Sequence, residues 1–402
     1  MSLNILMIHP HDIYSNQEPW TVRIVYIAKE LIKKGHEVRL VYFPLDRSAI
    51  RKEEQYGGFF VIPLSRKFGP KILLANIFRV ACLARWSDII HFQKCFYHAA
   101  LPALIASFLF NKHVHYDWDD WELKIYNVST EPGLLRNLIG FFLSFLENNI
   151  PRLADTVSVA SERLKIRCLS LGVQECNIFQ APVGADIEKF NPRVSADTLR
   201  KKYNINSLLV LYLGQLHGGQ YVELFIKAAC ELLRRCPGSN IRFMIVGDGY
   251  MRDELEKKTN QLGLVQSVIF TGSIAHESVP EYLAAANICV ASFEDNEVTK
   301  CKSPLKIVEY MAMGKAIVAS KVGEVSKMLH KSAILVEPGN YIKLAEGIMT
   351  LIDNPSLMRE LGIKSRERAE NIYNWARTTN NILNAYNVSL RKKTGIVSHD
   401  QL

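Results

Sequence analysis

The sequence predicts an α/β protein of two Rossmann-like, doubly wound domains. Three observations carry that expectation. Short apolar runs alternate with stretches of helical spacing, as in parallel strands joined by crossover helices. The alternation starts at residue 3 and restarts near residue 208. A chain of 402 residues exceeds one ordinary core and suits two. Hydrophobic residues at 48% and charged residues at 22% place it among globular proteins, not disordered ones.

In the first half, residues 3–8 form a short apolar run that reads as a buried strand. A polar loop spans 9–20. Residues 22–34 have helical spacing and stop at Gly35, a fitting helix end. Residues 37–42 read as the next strand, and 88–92, 113–116 and 156–160 as later strands of the same sheet. In the second half the predicted strands are 208–213, 241–246, 268–271, 288–292 and 316–319. The helices between them are 222–235, 251–262, 280–286 and 304–313. The polar stretch 186–206, which contains Pro192, reads as a linker between domains 1–185 and 207–374. A last helix near 375–387, within the segment 375–402, either continues the second domain or crosses back to the first.

The net charge is +9. Eight basic residues fall between Arg47 and Arg85 against only Glu53 and Glu54. This is either a solvated face or a surface for anionic lipid headgroups. Nucleic acid is not expected, because no recognised motif or aromatic stacking pattern accompanies the charge. The eight cysteines include no CxxC pair, which argues against zinc and for reduced thiols. The first ten residues lack a basic leader and a signal-peptide core, so a cytoplasmic location is expected. No apolar run reaches 18 residues. The segment 134–146 is either a buried helix or one lying in a membrane interface.

The most informative stretch is 302–315, KSPLKIVEYMAMGK. Ser303 is a good N-cap and Pro304 a good first helical residue. A helix start at Ser303, Pro304 and Leu305 presents free N–H groups and the positive dipole end, an anion site suited to a diphosphate. Lys306 adds a point charge. Glu309, one turn on, can accept hydrogen bonds from ribose hydroxyls.

This stretch resembles the nucleotide-sugar-binding helix of the family-4 retaining glycosyltransferases. Other segments resemble that family in the same order. They are Pro182-Val183-Gly184-Ala185-Asp186, Leu213-Gly214-Gln215-Leu216, Val246-Gly247-Asp248-Gly249, Phe270-Thr271-Gly272 and Val336-Glu337-Pro338-Gly339. The resemblance implies the GT-B fold, two Rossmann-like domains facing across a cleft. It implies transfer from a nucleotide-diphosphate sugar, UDP- or GDP-linked, to a glycan or a lipid-linked acceptor, with retention at the anomeric carbon and no added cofactor or metal. Gly214, Gln215, Gln220 and Gly247 then lie on the donor diphosphate. Ser273 and Ile274 fall where the family holds the nucleobase, and the loop residue His276 lies nearby. Lys306 and Glu309, together with Asp117, are the residues expected to be catalytic.

The sequence also departs from the family. Gln215 and Gln220 stand where Arg and Lys usually clamp the diphosphate, and Cys301 where the first Glu of a Glu-x7-Glu pair is expected. These departures motivate a second reading, a non-catalytic protein that binds nucleotide sugar or glycan. Asp117 occupies the strand end where the family has a catalytic-site histidine, with His115 on the same strand face. Asp119 and its acidic neighbours either grip a sugar acceptor, bind a divalent ion or cap a helix. Asn16, Gln17 and Glu18 either contact the acceptor or cap the helix that follows.

Overall fold

The computed structural model describes residues 2–15, 18–46, 52–218 and 221–393. The chain forms two compact units, Met1–Pro182 with Trp375–Leu402, and Val183–Asn374.

The first unit is built on one sheet of eight strands. They are β1 (Asn4–Ile8), β2 (Glu37–Tyr42), β3 (Glu54–Tyr56), β4 (Phe59–Pro63), β5 (Ile89–Gln93), β6 (His113–Trp118), β7 (Thr156–Val159) and β8 (Ile178–Gln180). Their order is β3-β4-β2-β1-β5-β6-β7-β8. Among the described residues every pairing is parallel except the β3–β4 hairpin. That hairpin turns at Gly57-Gly58, both at positive φ, a backbone only glycine adopts without strain. The central strands read as unbroken apolar runs because helices cover both faces. Residues Ile5 to Ile8 are buried without exception.

The helix Val22–Lys33 turns Ile24, Ile27, Ala28 and Leu31 inward. Helix Trp375–Lys393 belongs to this unit, so of the two sequence alternatives it takes the return to the first domain. It buries Ile382, Ala385 and Tyr386, stacks Trp375 on Tyr26 at 5.4 Å, and sets the Tyr386 hydroxyl 2.7 Å from Nδ1 of His91.

The second unit holds six parallel strands: β9 (Leu208–Leu213), β10 (Ile241–Val246), β11 (Val268–Phe270), β12 (Ile288–Ala291), β13 (Ala316–Ser320) and β14 (Ile334–Val336). Their order, β11-β10-β9-β12-β13-β14, reverses direction between β9 and β12. In open parallel sheets that reversal opens a crevice at the carboxyl ends of the strands, where ligands bind. The stretch 186–206 is not a free linker. It packs in this unit through buried Phe190, Leu199 and Ile205 and contains the helix Asp197–Lys202. Its apolar side chains, spaced among polar ones, outweigh the polar composition that suggested a linker. All four sheet edges, β3, β8, β11 and β14, are strands of three residues.

Inside the first unit Arg23 and Asp117 form a buried ion pair. Arg23 donates to Asp117 from Nε at 2.7 Å and from Nη2 at 2.8 Å, and Nη2 also donates to the Ala181 carbonyl at 2.8 Å. Neither charge reaches water, so removing one strands the other in a low-dielectric interior. Arg23→Ala is expected to destabilise the protein by about 3–5 kcal/mol, read by denaturant unfolding followed through tryptophan fluorescence. A loss below about 1 kcal/mol, the range of an exposed pair, would refute the assignment.

Candidate functional site

Helix Leu305–Ala312 and the glycine turn after β9, both expected on the donor side, lie at the β9/β12 reversal. Helix Leu305–Ala312 leads from the loop after β12 into β13, and Tyr310 fixes it there. The buried Tyr310 hydroxyl accepts from Leu213 N–H at 2.8 Å and donates to the Val290 carbonyl at 3.4 Å. One side chain thus ties the ends of the two strands that flank the crevice.

Beyond β9 the chain passes Gly214, whose N–H donates to Val246 O at 2.9 Å, and Leu216, whose N–H donates to Asp248 O at 2.9 Å. The loops after β9 and β10 lie so close that a Cβ on Gly247 would sit 2.0 Å from Gly214 O. A Cβ on Gly249 would sit 2.3 Å from Leu216 O. The Gly-Asp-Gly sequence is therefore a packing requirement at this strand end.

Lys306 reaches over the same turn. Its Nζ donates to the Tyr212 hydroxyl at 2.9 Å and would lie 2.5 Å from a Cβ on Gly214. Burial and the neighbouring Lys302 push the Lys306 ammonium down to about 7. His217 sits in the same field: burial, Lys302 and Lys306 lower its imidazole to about 4, so it is neutral at physiological pH. The ammonium groups of Lys302 and Lys306 thus lie by the glycine turn that carries Gln215 in place of the family's Arg. Sequence reasoning gave no role to Lys302 or His217, which become relevant only once the helix folds back over β9.

Glu309 is buried, and its Oε1 lies 2.7 Å from Nε2 of His276. Nδ1 of that ring lies 3.0 Å from Nζ of Lys189. An ammonium can only donate, so Nδ1 is the acceptor and the proton rests on Nε2, pointing at Glu309. Lys189 thus fixes the tautomer with which His276 orients the carboxylate. His276 carried only a position in the sequence, and its partners lie 33 and 87 residues away.

Some expectations shift at this end. Ser303 is not the N-cap. Pro304 takes that place, with the helix starting at Leu305, because the Ser303 hydroxyl accepts from Val183 N–H at 3.2 Å. Ser273 and Ile274 lie in the loop between β11 and His276. Gln215 is half-buried after the glycine turn, and Gln220 lies outside the described residues. Cys301 is buried at the end of the short helix Glu297–Cys301, so its thiol is packed rather than presented to a sugar. Asp295 and Glu297, beside and in that helix, pair with Lys300.

In the first unit the carboxylates serve the fold. Asp117 has no exposed surface; both oxygens are taken by Arg23, and the Ser158 hydroxyl donates to it as well. Burial would raise its pKa, but Arg23 outweighs that and holds it well below the usual carboxylate range. The expected catalytic role of Asp117 is therefore corrected to a structural one. His115 is equally enclosed, between Thr156 Oγ1 at 2.9 Å and Ser158 Oγ at 3.0 Å.

Asp119, nearly buried, accepts from Gln93 Nε2 at 2.7 Å. Asp119, Asp120 and Glu122 converge on Nζ of Lys94, which stands where a bound cation would. Glu18 neither caps the helix nor faces solvent. It accepts from Asp12 N–H at 2.7 Å, His11 Nδ1 at 2.9 Å and Arg66 Nη1 at 2.9 Å. Against the effect of burial, these bonds hold it at about 2. Asn16 and Gln17 lie outside the described residues.

Residues 21–189 match the family model described as Glycosyltransferase Family 4, and residues 207–354 the one described as Glycosyl transferases group 1. Alpha-D-kanosaminyltransferase of Streptomyces kanamyceticus is 32% identical over 166 residues, a match covering 40% of this chain and 41% of that protein. The chain spans about half the length of the curated relatives it matches. Sucrose-phosphate synthase from Thermosynechococcus elongatus superposes with a TM-score of 0.77 at 21% identity, covering 98% of this chain and 100% of that one. HepE of Anabaena, solved in complex with UDP-glucose, superposes at 0.73 with 20% identity, covering 96% and 99%. With both halves matched in order and the strand reversal in the second sheet, the chain belongs to the family-4 glycosyltransferases of GT-B fold.

Proposed function

We propose that this protein is a retaining glycosyltransferase that moves a sugar from a nucleotide-diphosphate sugar to a glycan or lipid-linked acceptor. The observation that carries the reading is Lys306 Nζ seated against Gly214 at the strand reversal, one helical turn from buried Glu309. The diphosphate lies between the glycine turn and the start of helix Leu305–Ala312, where backbone N–H groups and the ammonium of Lys306 neutralise the leaving charge. Lys302 adds the second charge that Gln215 and Gln220 do not supply. Glu309, oriented by His276, accepts from the ribose hydroxyls. Ser273 and Ile274 line the nucleobase through their main chain.

In the reaction the bond from the anomeric carbon to the phosphate oxygen breaks. The acceptor oxygen bonds the same carbon on the same face, and its proton passes to the leaving diphosphate. The protein supplies positioning and charge, with no covalent carboxylate step and no added cofactor. A UDP-sugar is the first donor to test, since the HepE neighbour was solved with UDP-glucose. The packed Cys301 thiol favours a second reading, binding of a nucleotide sugar without transfer.

Lys306→Ala and Glu309→Ala are each expected to lower kcat/KM at least about a hundredfold in a donor-consumption assay. Donor that binds to the native protein by calorimetry but is never consumed with any acceptor would support the second reading instead. The lowered Lys306 pKa gives a pH dependence. In the free protein the ammonium is lost as pH rises through about 7, and a bound diphosphate requires it. The Kd for a nucleotide sugar should therefore rise between pH 7 and 9, approaching about tenfold per unit. Lys306→Arg should flatten that slope; an unchanged slope would sink this role for Lys306.

A further inference from the structure

The helix Leu134–Leu153 exposes a stripe that a soluble fold would bury. Leu134, Leu138, Phe141 and Phe145 recur at helical spacing and face solvent, Leu134 at 80% and Phe141 at 76% exposure. The opposite stripe, Leu143, Leu146 and Ile150, packs inward. The apolar surface does not end with this helix. Phe142 lies 6.3 Å from the ring of Tyr97, and Tyr97 lies 6.2 Å from Phe68, which is 84% exposed. The patch therefore runs from residue 145 across Tyr97 to the loop before helix Pro70–Ala84. A contiguous apolar area of this kind on a chain surface marks an interaction site.

The three segments that carry it hold charges of one sign, with the exposed Glu131 just ahead of the stripe helix. Segments 64–84, 97–112 and 134–146 contain no Asp or Glu. They carry Lys67 next to Phe68, Lys71 in the following turn and, within the stripe helix, Arg136, one of whose guanidinium nitrogens donates to the Asn127 carbonyl at 2.7 Å. Arg66 and Arg79 contribute less, since Arg66 turns inward to Glu18 and Arg79 pairs with Glu53. Among the described residues no helix is long and apolar enough to cross a membrane.

We infer that this face of the first unit seats on the surface of an anionic lipid bilayer. Leu138, Phe141 and Phe145 enter the headgroup–acyl boundary, and Lys67, Lys71 and Arg136 contact lipid phosphates. A second copy of the chain fits less well. A two-fold interface here would set the same basic residues against themselves, whereas an anionic surface complements them. The inference stands apart from the donor site and is tested without nucleotide, so either reading can fail alone.

The test is flotation of the full chain with vesicles of phosphatidylcholine, with and without about 30% phosphatidylglycerol. The native protein should float with the anionic vesicles, and less as salt rises. Leu138→Asp with Phe141→Asp should lower partitioning on the order of a hundredfold. Lys67→Glu with Lys71→Glu should lower it at least about tenfold. All four positions are exposed, and an unchanged thermal transition will show that the variants fold. Native protein that stays with the dense fraction, or variants that float equally, would overturn the inference. So would a dimer in light scattering that Leu138→Asp with Phe141→Asp dissociates while no flotation occurs, since that gives the face to a second copy.

Discussion

The second unit depends on what happens where its strand order reverses. At that point β9 and β12 end side by side and part, leaving backbone groups with no neighbouring strand. Tyr310 meets them with one hydroxyl, accepting from Leu213 and donating to Val290. The bond does more than satisfy two buried polar groups. It fixes the rotation of helix Leu305–Ala312, and with it the faces that carry Lys306 and Glu309. Lys306 and Glu309, the two residues proposed to hold the donor, are three apart on one helix, so a single anchor sets both.

The first unit handles its charges differently. Its strand ends are rich in carboxylates, yet the cations that answer them are internal. Arg23 closes on Asp117, and Lys94 gathers Asp119, Asp120 and Glu122. Burial penalises any unpaired charge, so each acid must be hydrogen-bonded, matched or neutral. Glu122 shows the strain of the arrangement: despite Lys94, burial leaves its pKa raised. Acidic residues at a strand end thus resemble a ligand site in sequence while serving as the interior of the domain.

Much of the fold was legible because parallel strands covered on both faces are unbroken apolar runs. β2, β9 and β10 and the helix Val222–Arg235 have the bounds that spacing alone predicts. The hairpin β3–β4 and the edge strands β8 and β14 were not predicted; β3, β8 and β14 hold three residues each, and so short a run is read only where a wider pattern frames it, as for β11. Lys306 and Glu309 were named from one helix and its resemblance, and both lie on helix Leu305–Ala312. Ser303 was misread as a cap because its hydroxyl is claimed by Val183, 120 residues away. Asp117 was misread for the same reason, its partner Arg23 lying 94 residues off. Local rules see helix periods and caps; they do not see which distant group takes a side chain first. The basic run 47–85 was a mixture for that reason too, with Arg66 turned inward and Lys67 outward.

The short outer strands bear on how the sheets avoid pairing with other chains. An open sheet offers its edge backbone as a template for another chain, and the hazard grows with edge length. Here each sheet stops at both sides after three residues, and β3 begins with a charged glutamate. Neither sheet presents a ledge long enough to nucleate a strand-to-strand stack. Whatever this chain adheres to is thereby left to its side chains, whose contacts are reversible, rather than to β-pairing along an open edge.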